Sequence, residues 1–282
     1  MTALTRTQII TQAIIRAGRR AQGVDLTYAF DEILQKITRD YPLLRNIPHP
    51  FTTVASQSWV ALPSDYRSWE QCFYSTYELE WVDLEDYQNL IQTDTDTAGT
   101  PSEFTIAEDE SRLYLYHKPS AATAGKLMYS AIHPKTEKTL SFTSGGTYEI
   151  KKGDTVTGAT SGKTMLVNFV RVTSGSWAGG DAAGRLLGTP SATGFTAENL
   201  NVGSNLNVAT IAADATTTDN FLHFLGEKFD EVVIEGCAWK ALELIEDDLR
   251  AMKKQALFLY LLSDLGGIKT RRPMARSPYR GY

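Results

Sequence analysis

Three short runs in this 282-residue chain have residue types that could do chemistry. Thr157-Gly-Ala-Thr-Ser-Gly162-Lys163-Thr164 approaches a phosphate-binding loop, in which glycines let backbone N–H groups close on a phosphate and a lysine meets its charge. That pattern requires Gly where Thr157 stands and a helix after the threonine. Met165–Val172 reads instead as a strand, so no helix N-terminus would face an anion. The run is expected to be a β-turn. Asp94-Thr-Asp96-Thr-Ala98-Gly99 opens like a calcium loop, but Ala98 supplies no oxygen and the twelfth position is Thr105 instead of Glu. It reads as a polar turn. The acidic cluster Glu243, Glu246, Asp247 and Asp248 could attract a divalent cation, yet no His or second carboxylate group completes a site, and it reads as a solvated helix face.

The remaining reactive residue types do not assemble into a site. His49, His117, His133 and His223 have no Cys or His partner at metal-ligand spacing, and no Gly-x-Ser-x-Gly elbow is present. Cys72 and Cys237 are far apart and read as buried apolar residues in a reducing compartment. No enzymatic activity, cofactor or metal is therefore expected. A net charge of −5 gives no general affinity for nucleic acid or an anionic membrane surface. The N-terminal isoleucines are interleaved with Arg6, Gln8, Gln12 and Arg16, which excludes a signal-peptide apolar core. No run resembles a membrane span.

The elements around these runs can be read from period and punctuation. Thr5-Arg-Thr-Gln8 is a capping box, followed by Ile9, Ala13, Ile14 and Ala17 at helical spacing. A second helix is expected from Asp25 or Thr27 to Asp40, joined to the first through Gly23 as an antiparallel hairpin. Between Pro48 and His133 the chain reads as β-rich, with strands at Ser58–Leu62, Gln71–Tyr77, Glu78–Val82, Arg112–His117 and Lys126–Ala131. From Phe221 an apolar stripe at helical spacing runs through Val233, Cys237 and Ala241. Leu249, Met252, Ala256, Leu259, Tyr260 and Leu262 continue it after a break near Asp247-Asp248.

An interruption separates these flanks. Twelve of the 21 glycines lie between Gly145 and Gly203, and strands are expected at Lys163–Val172 and Asn205–Ile211. Tyr148–Gly158 weakly echoes Gly194–Gly203, as two hairpins of one small barrel or sandwich would. The expected class is α+β: N- and C-terminal helices forming a helical bundle, a small antiparallel β-sheet region and an inserted all-β, Gly-rich module. The expected division is a core of 1–139 plus 217–265, a module of 140–216 and an extended C-terminal arm of 266–282. That arm carries Lys269, Arg271, Arg272, Arg276 and Arg280 with no acidic residue.

The order of these features resembles the head-to-tail adaptor (connector, or head-completion) proteins of tailed bacteriophages. The matching pieces are the N-terminal helices, Trp59-Val-Ala-Leu-Pro-Ser-Asp-Tyr66, Gly99-Thr-Pro-Ser-Glu-Phe104, Arg112-Leu-Tyr-Leu-Tyr-His-Lys-Pro119, Leu127-Met-Tyr-Ser-Ala131 and the helical C-terminal region with its tail. The resemblance implies a structural virion protein, assembled in the host cytoplasm and placed at the head–tail interface. It implies a homo-oligomeric ring, commonly twelvefold, that docks under the portal protein and extends the channel through which genomic DNA passes non-specifically. The ring would offer a platform to the next tail component, whether nozzle, tail terminator or tail tube. On this reading Arg271, Arg272, Pro273, Met274, Arg276, Tyr279 and Arg280 are portal-binding candidates, and Glu243, Glu246, Asp247 and Asp248 are channel-facing candidates. The competing reading is a tail, fibre or baseplate protein whose β-module binds a host receptor or glycan; Trp177, Tyr148 and Phe195 are its candidate sugar-stacking aromatics, although core or turn-packing roles suit each of them better.

Overall fold

Thr5 starts the first helix as its side chain dictates: its hydroxyl accepts from the Gln8 N–H at 3.4 Å, and the Gln8 amide oxygen accepts from the Thr5 N–H at 2.9 Å. The computed structural model describes residues 3–63, 65–93, 98–107, 111–146, 148–175, 177 and 179–265. Among these the fold is mixed α+β, with α1 (Arg6–Ala17), α2 (Thr27–Asp40), α3 (Leu84–Thr93), α4 (Asp230–Leu244) and α5 (Asp248–Leu265). The chain forms two compact units, one of residues 3–37 and 134–265 and the other of Thr38–His133.

The helices of the first unit are organised by α4. Most of its side chains are buried, including Val232, Val233, Ile234, Glu235, Cys237, Ala238 and Trp239, so it is surrounded instead of lying on a surface. The principal partner of α1 is α4, and α1 also touches α2, where the Arg6 guanidinium lies over the Phe30 ring at 5.9 Å. Ala13 and Ala17 on the buried face of α1 keep the α1 and α4 backbones close. At the α2 crossing only glycine fits, because a Cβ on Gly236 would lie 2.8 Å from Ile33 Cγ2. Glu235 is 3% exposed and is held from both sides, by Arg16 of α1 at 2.6 Å and Lys254 of α5 at 2.8 Å. A buried carboxylate between two cations is tolerated because each charge is paired.

The apolar stripe that begins at Phe221 is not helical from its start. Gly226 (φ +84°) and a short turn intervene before Asp230, and Phe221–Leu225 runs as irregular chain. Phe221 meets Phe30 edge-on at 6.5 Å. The α4–α5 break falls as expected. The Glu246 N–H reaches the Glu243 carbonyl and the Asp247 N–H reaches the Leu242 carbonyl, the paired bonds of a Schellman stop. Glu246 takes the left-handed position (φ +57°) that glycine usually fills.

The second unit holds β1 (Leu44–Thr52), β2 (Trp59–Ala61), β3 (Tyr66–Tyr74), β4 (Tyr77–Glu78), β5 (Glu80–Trp81), β6 (Ala98–Gly99), β7 (Glu103–Ala107), β8 (Arg112–Tyr116), β9 (Lys118–Pro119) and β10 (Ala124–Ala131). They form two four-stranded sheets, ordered β1-β10-β3-β4 and β2-β8-β7-β5, and a small β6-β9 pair. Trp69 of the first sheet stacks on Trp81 at 5.5 Å and meets Phe104 edge-on at 5.4 Å, which ties the sheets together. The expected strand Gln71–Tyr77 begins earlier, at Tyr66, and the expected Glu78–Val82 strand is split into β4 and β5. The helix α3 was not expected. Its signal is local: Asp83 accepts from the Asp86 N–H at 2.8 Å as an N-cap, and Glu85 and Asp86 follow in the first turn.

The glycine-rich stretch closes into a barrel. Strands β11 (Lys138–Gly145), β12 (Thr155–Gly158), β13 (Thr164–Ser174), β14 (Ala182–Pro190), β15 (Glu198–Val202) and β16 (Asn205–Ile211) run in the order β11-β14-β13-β12-β15-β16, and β16 pairs back to β11. Leu140, Phe142, Val156, Met165, Val167, Leu186, Leu200 and Ile211 fill it. Gly184 and Gly188 permit the tight β13–β14 approach, since a Cβ on either would sit 1.9 Å from a β13 carbonyl oxygen. The echoing segments lie side by side, β12 pairing with β15 at Val156↔Val202. Within this unit the barrel meets the 221–225 segment, where Phe169 packs on Phe224 at 5.8 Å and Arg185 donates to the Leu222 carbonyl at 3.1 Å.

The α2–α4 crossing yields a direct test. Gly236→Val overpacks the contact with Ile33 and should destabilise the protein by about 2–3 kcal/mol in chemical denaturation. Stability equal to wild type would show that the crossing is not tight.

Candidate functional site

The phosphate-loop-like run is the turn between β12 and β13, and an anion already sits in it. That anion is the carboxylate of Glu198, 6% exposed at the start of β15. It accepts from the N–H groups of Thr160 (2.7 Å), Ser161 (2.8 Å) and Thr196 (3.0 Å) and from the Ser161 hydroxyl (2.6 Å). Burial by itself would raise its pKa, but these four donors outweigh burial and hold it at about 2. The backbone of the run does form an anion cradle, and its occupant is an internal side chain that pins the turn to β15. The run is thus a β-turn with a structural counter-charge. The first four residues of the calcium-loop-like run lie outside the described residues; Thr105 at its twelfth position is buried in β7.

His223 and Asp230 resemble half of a catalytic relay, and their surroundings exclude that role. His223 Nδ1 accepts from the Leu225 N–H at 3.2 Å, so Nε2 carries the proton donated to Asp230 at 2.8 Å. Asp230 also accepts from the Leu4 N–H at 2.9 Å. The imidazole has no exposed surface, and burial lowers its pKa despite the adjacent carboxylate. Both nitrogens are committed to holding the 221–225 segment and the start of the chain against α4. Cys72 and Cys237 are free and buried, and burial pushes both thiols up to about 12. Among the described residues no cluster of three or more His, Cys, Asp or Glu side chains could hold a metal.

The four acidic candidates come together at the α4–α5 junction, and two are internally compensated. Glu243 accepts from the Trp239 indole N–H at 2.7 Å and lies 3.2 Å from Lys240. Lys240 also pairs with Glu32 of α2 at 2.9 Å, and the two carboxylates raise its pKa against the lowering effect of burial. Asp247 caps α5 through the Arg250 N–H at 3.4 Å and pairs with the Arg250 guanidinium at 3.5 Å, while that guanidinium caps α1 through the Ala17 carbonyl at 2.7 Å. Glu246 and Asp248 are exposed and have no partner among the described residues. The portal-binding candidates, Arg271 to Arg280, lie outside the described residues.

Two of the three aromatics available to the glycan reading are interior. Trp177 stacks on Phe142 at 5.1 Å and Phe195 is 3% exposed, both in the barrel core. Tyr148 packs against that core and its hydroxyl reaches Asp154 at 3.3 Å. Trp177 and Phe195 cannot join a sugar-stacking platform without opening the barrel.

The family model for the SU10 adaptor protein matches residues 4–152, just over half of the chain. The chain belongs to that family. The match takes in α1, α2 and both sheets of the second unit and ends after β11. The SU10 adaptor family is a phage head–tail adaptor family, so this protein is a structural phage protein and a virion component. No curated protein matches the chain at a significant level. No helix among the described residues is long and apolar enough to cross a membrane.

Two features are not foreseen by sequence reasoning. Leu249, Met252, Ala256, Leu259 and Tyr260 were expected to continue the core, but all five are exposed and only Leu262 of that set is buried. Glu198 carried no signal beyond being the single acidic residue in its echo segment.

Glu198 supplies a pH test with a defined sign. Its pKa lies below the ordinary 4.5, so its contribution is complete above about pH 4.5 and is lost as pH falls toward about 2. Glu198→Gln should cost about 2 kcal/mol at neutral pH and flatten the stability profile across that window. An unchanged acid profile would show that the cradle does not hold the carboxylate.

Proposed function

We propose that this SU10 adaptor family member is the head-to-tail adaptor ring subunit that docks under the portal, extends the DNA channel and offers the attachment platform to the next tail component. The single observation that carries the reading is the family match over residues 4–152. The helical part of the first unit suits a subunit that packs against copies of itself, because α5 presents apolar side chains to its surroundings. Glu246 and Asp248 are the uncompensated charges of the acidic junction and are placed at the channel or at a subunit boundary. A carboxylate left uncompensated, as Glu246 is, repels phosphate, which would let DNA pass without adhering. Glu246 occupies a backbone conformation better suited to glycine, which is consistent with a role for its charge.

The arm 266–282 is proposed as the portal-docking element. Arg271, Arg272, Arg276 and Arg280 would meet carboxylates or backbone carbonyls, while Pro273, Met274 and Tyr279 supply apolar contacts. Single surface ion pairs are weak, so affinity would come from repetition around the ring. Fully extended, the arm reaches about 55 Å at roughly 3.3 Å per residue, enough to cross a neighbouring subunit.

The barrel is proposed as a module separable from assembly. Its ends are joined by Thr139 and Thr216, which exchange backbone hydrogen bonds of 3.3 and 2.8 Å, so a short linker can replace 140–216. Replacing it by a Gly-Ser linker should leave a cooperatively unfolding remainder, destabilised by roughly 1–2 kcal/mol because Phe224 loses its cover. Loss of cooperative unfolding would make the barrel part of the core.

The decisive functional test is truncation after Leu265, with portal binding and particle completion measured. Binding should be abolished while secondary structure persists. Docking with unchanged affinity would show that the arm is not the portal contact.

A further inference from the structure

The outward face of α5 has a regular pattern. Leu249, Met252, Leu259 and Tyr260 are 69%, 67%, 48% and 65% exposed, and exposed Ala256 lies among them. At 3.6 residues per turn these five form one stripe. Ala251, Phe258 and Leu262 lie on the opposite face, where Phe258 packs on Trp239 at 5.9 Å. The spacing is a heptad in which Leu249 and Ala256 take a positions and Met252 and Leu259 take d positions. Isolated exposed apolar residues need no explanation, but a continuous stripe along a helix marks a contact surface.

The flanking charges identify the occupant. Asp248 falls at a g position and Lys253 at the following e position. Both are exposed and neither has a partner among the described residues. When two heptad helices run parallel, each g residue faces the e residue five positions on in its neighbour. Asp248 of one copy would then meet Lys253 of the next, opposite charges at the edge of an apolar seam. In an antiparallel arrangement g faces g and e faces e, and the two charges never meet.

We propose that α5 is a self-association surface, packed in parallel against α5 of another copy of this chain through Leu249, Met252, Ala256 and Leu259, with Asp248 paired to Lys253 across the seam. A parallel seam of like faces is two-fold symmetric and joins copies in pairs, so the inference concerns the free chain and goes beyond the ring reading.

The test uses the purified full chain and a Leu249→Cys variant treated with a short bismaleimide. Cys72 and Cys237 are buried and do not compete. Parallel packing brings position 249 of two copies together, so L249C should give covalent dimers and the unsubstituted chain none. M252D/L259D should weaken association in sedimentation by at least about a hundredfold with an unchanged circular dichroism spectrum. D248K and K253D should each weaken it roughly tenfold, and an equimolar mixture of the two should recover it because opposite charges then face each other. Absence of L249C cross-links, or M252D/L259D sedimenting like wild type, overturns the proposal. So does L249C cross-linking that appears only on truncation after Leu265, which would make the arm the occupant of the stripe. Portal binding measured on the same variants separates the two readings: a monomeric chain that still docks, or a self-associating chain that does not, assigns failure to one of them alone.

Discussion

Most of the first unit depends on burying α4 on nearly every side. A helix with neighbours all round has no solvated face on which to place charge or bulk, so each contact must be matched individually. Gly236 lets α2 cross without a Cβ, small alanines on α1 let that helix come close, and Glu235 carries a buried negative charge. Leaving that carboxylate unpaired would cost several kcal/mol, which is why Arg16 and Lys254 both reach it. This single residue thereby fixes α1 and α5 relative to α4. The outward face of α5 follows from that placement: once Phe258 and Leu262 face α4, Leu249, Met252 and Leu259 must face away.

The same logic of internal compensation disposes of the chemical motifs. A turn able to cradle a phosphate is filled by Glu198, and a histidine paired with an aspartate has both nitrogens occupied. The acidic junction is half neutralised by Lys240 and Arg250. In each case residues that could act on a ligand are engaged in holding neighbouring segments together. That is the character expected of an assembly subunit, and the adaptor family assignment agrees with it.

Legibility in the sequence followed the range of the interactions. The capping box at Thr5, the span of α2, the break before Asp248 and strand β16 were readable because a few adjacent residues determine them. α3 is harder to read although its Asp83 cap is equally local, because the helix is short and mostly exposed, so little apolar period marks it. The helical period from Phe221 misled, since aromatic residues at helical spacing there serve contacts to the barrel and to α2 and do not form a helix. The α5 stripe was counted as core because hydrophobic period alone cannot say how many faces of a helix are covered. The Glu198 pin joins strands from separate hairpins and left no trace in local pattern.

We propose that this chain is a ring subunit at the head–tail interface. A reconstruction of the assembled particle at side-chain resolution tests it most directly. The expected result is copies of the chain in one closed ring between portal and tail, with the 266–282 arms on the portal. Finding the chain in a fibre or baseplate instead, with the portal contacting a different protein, would contradict it.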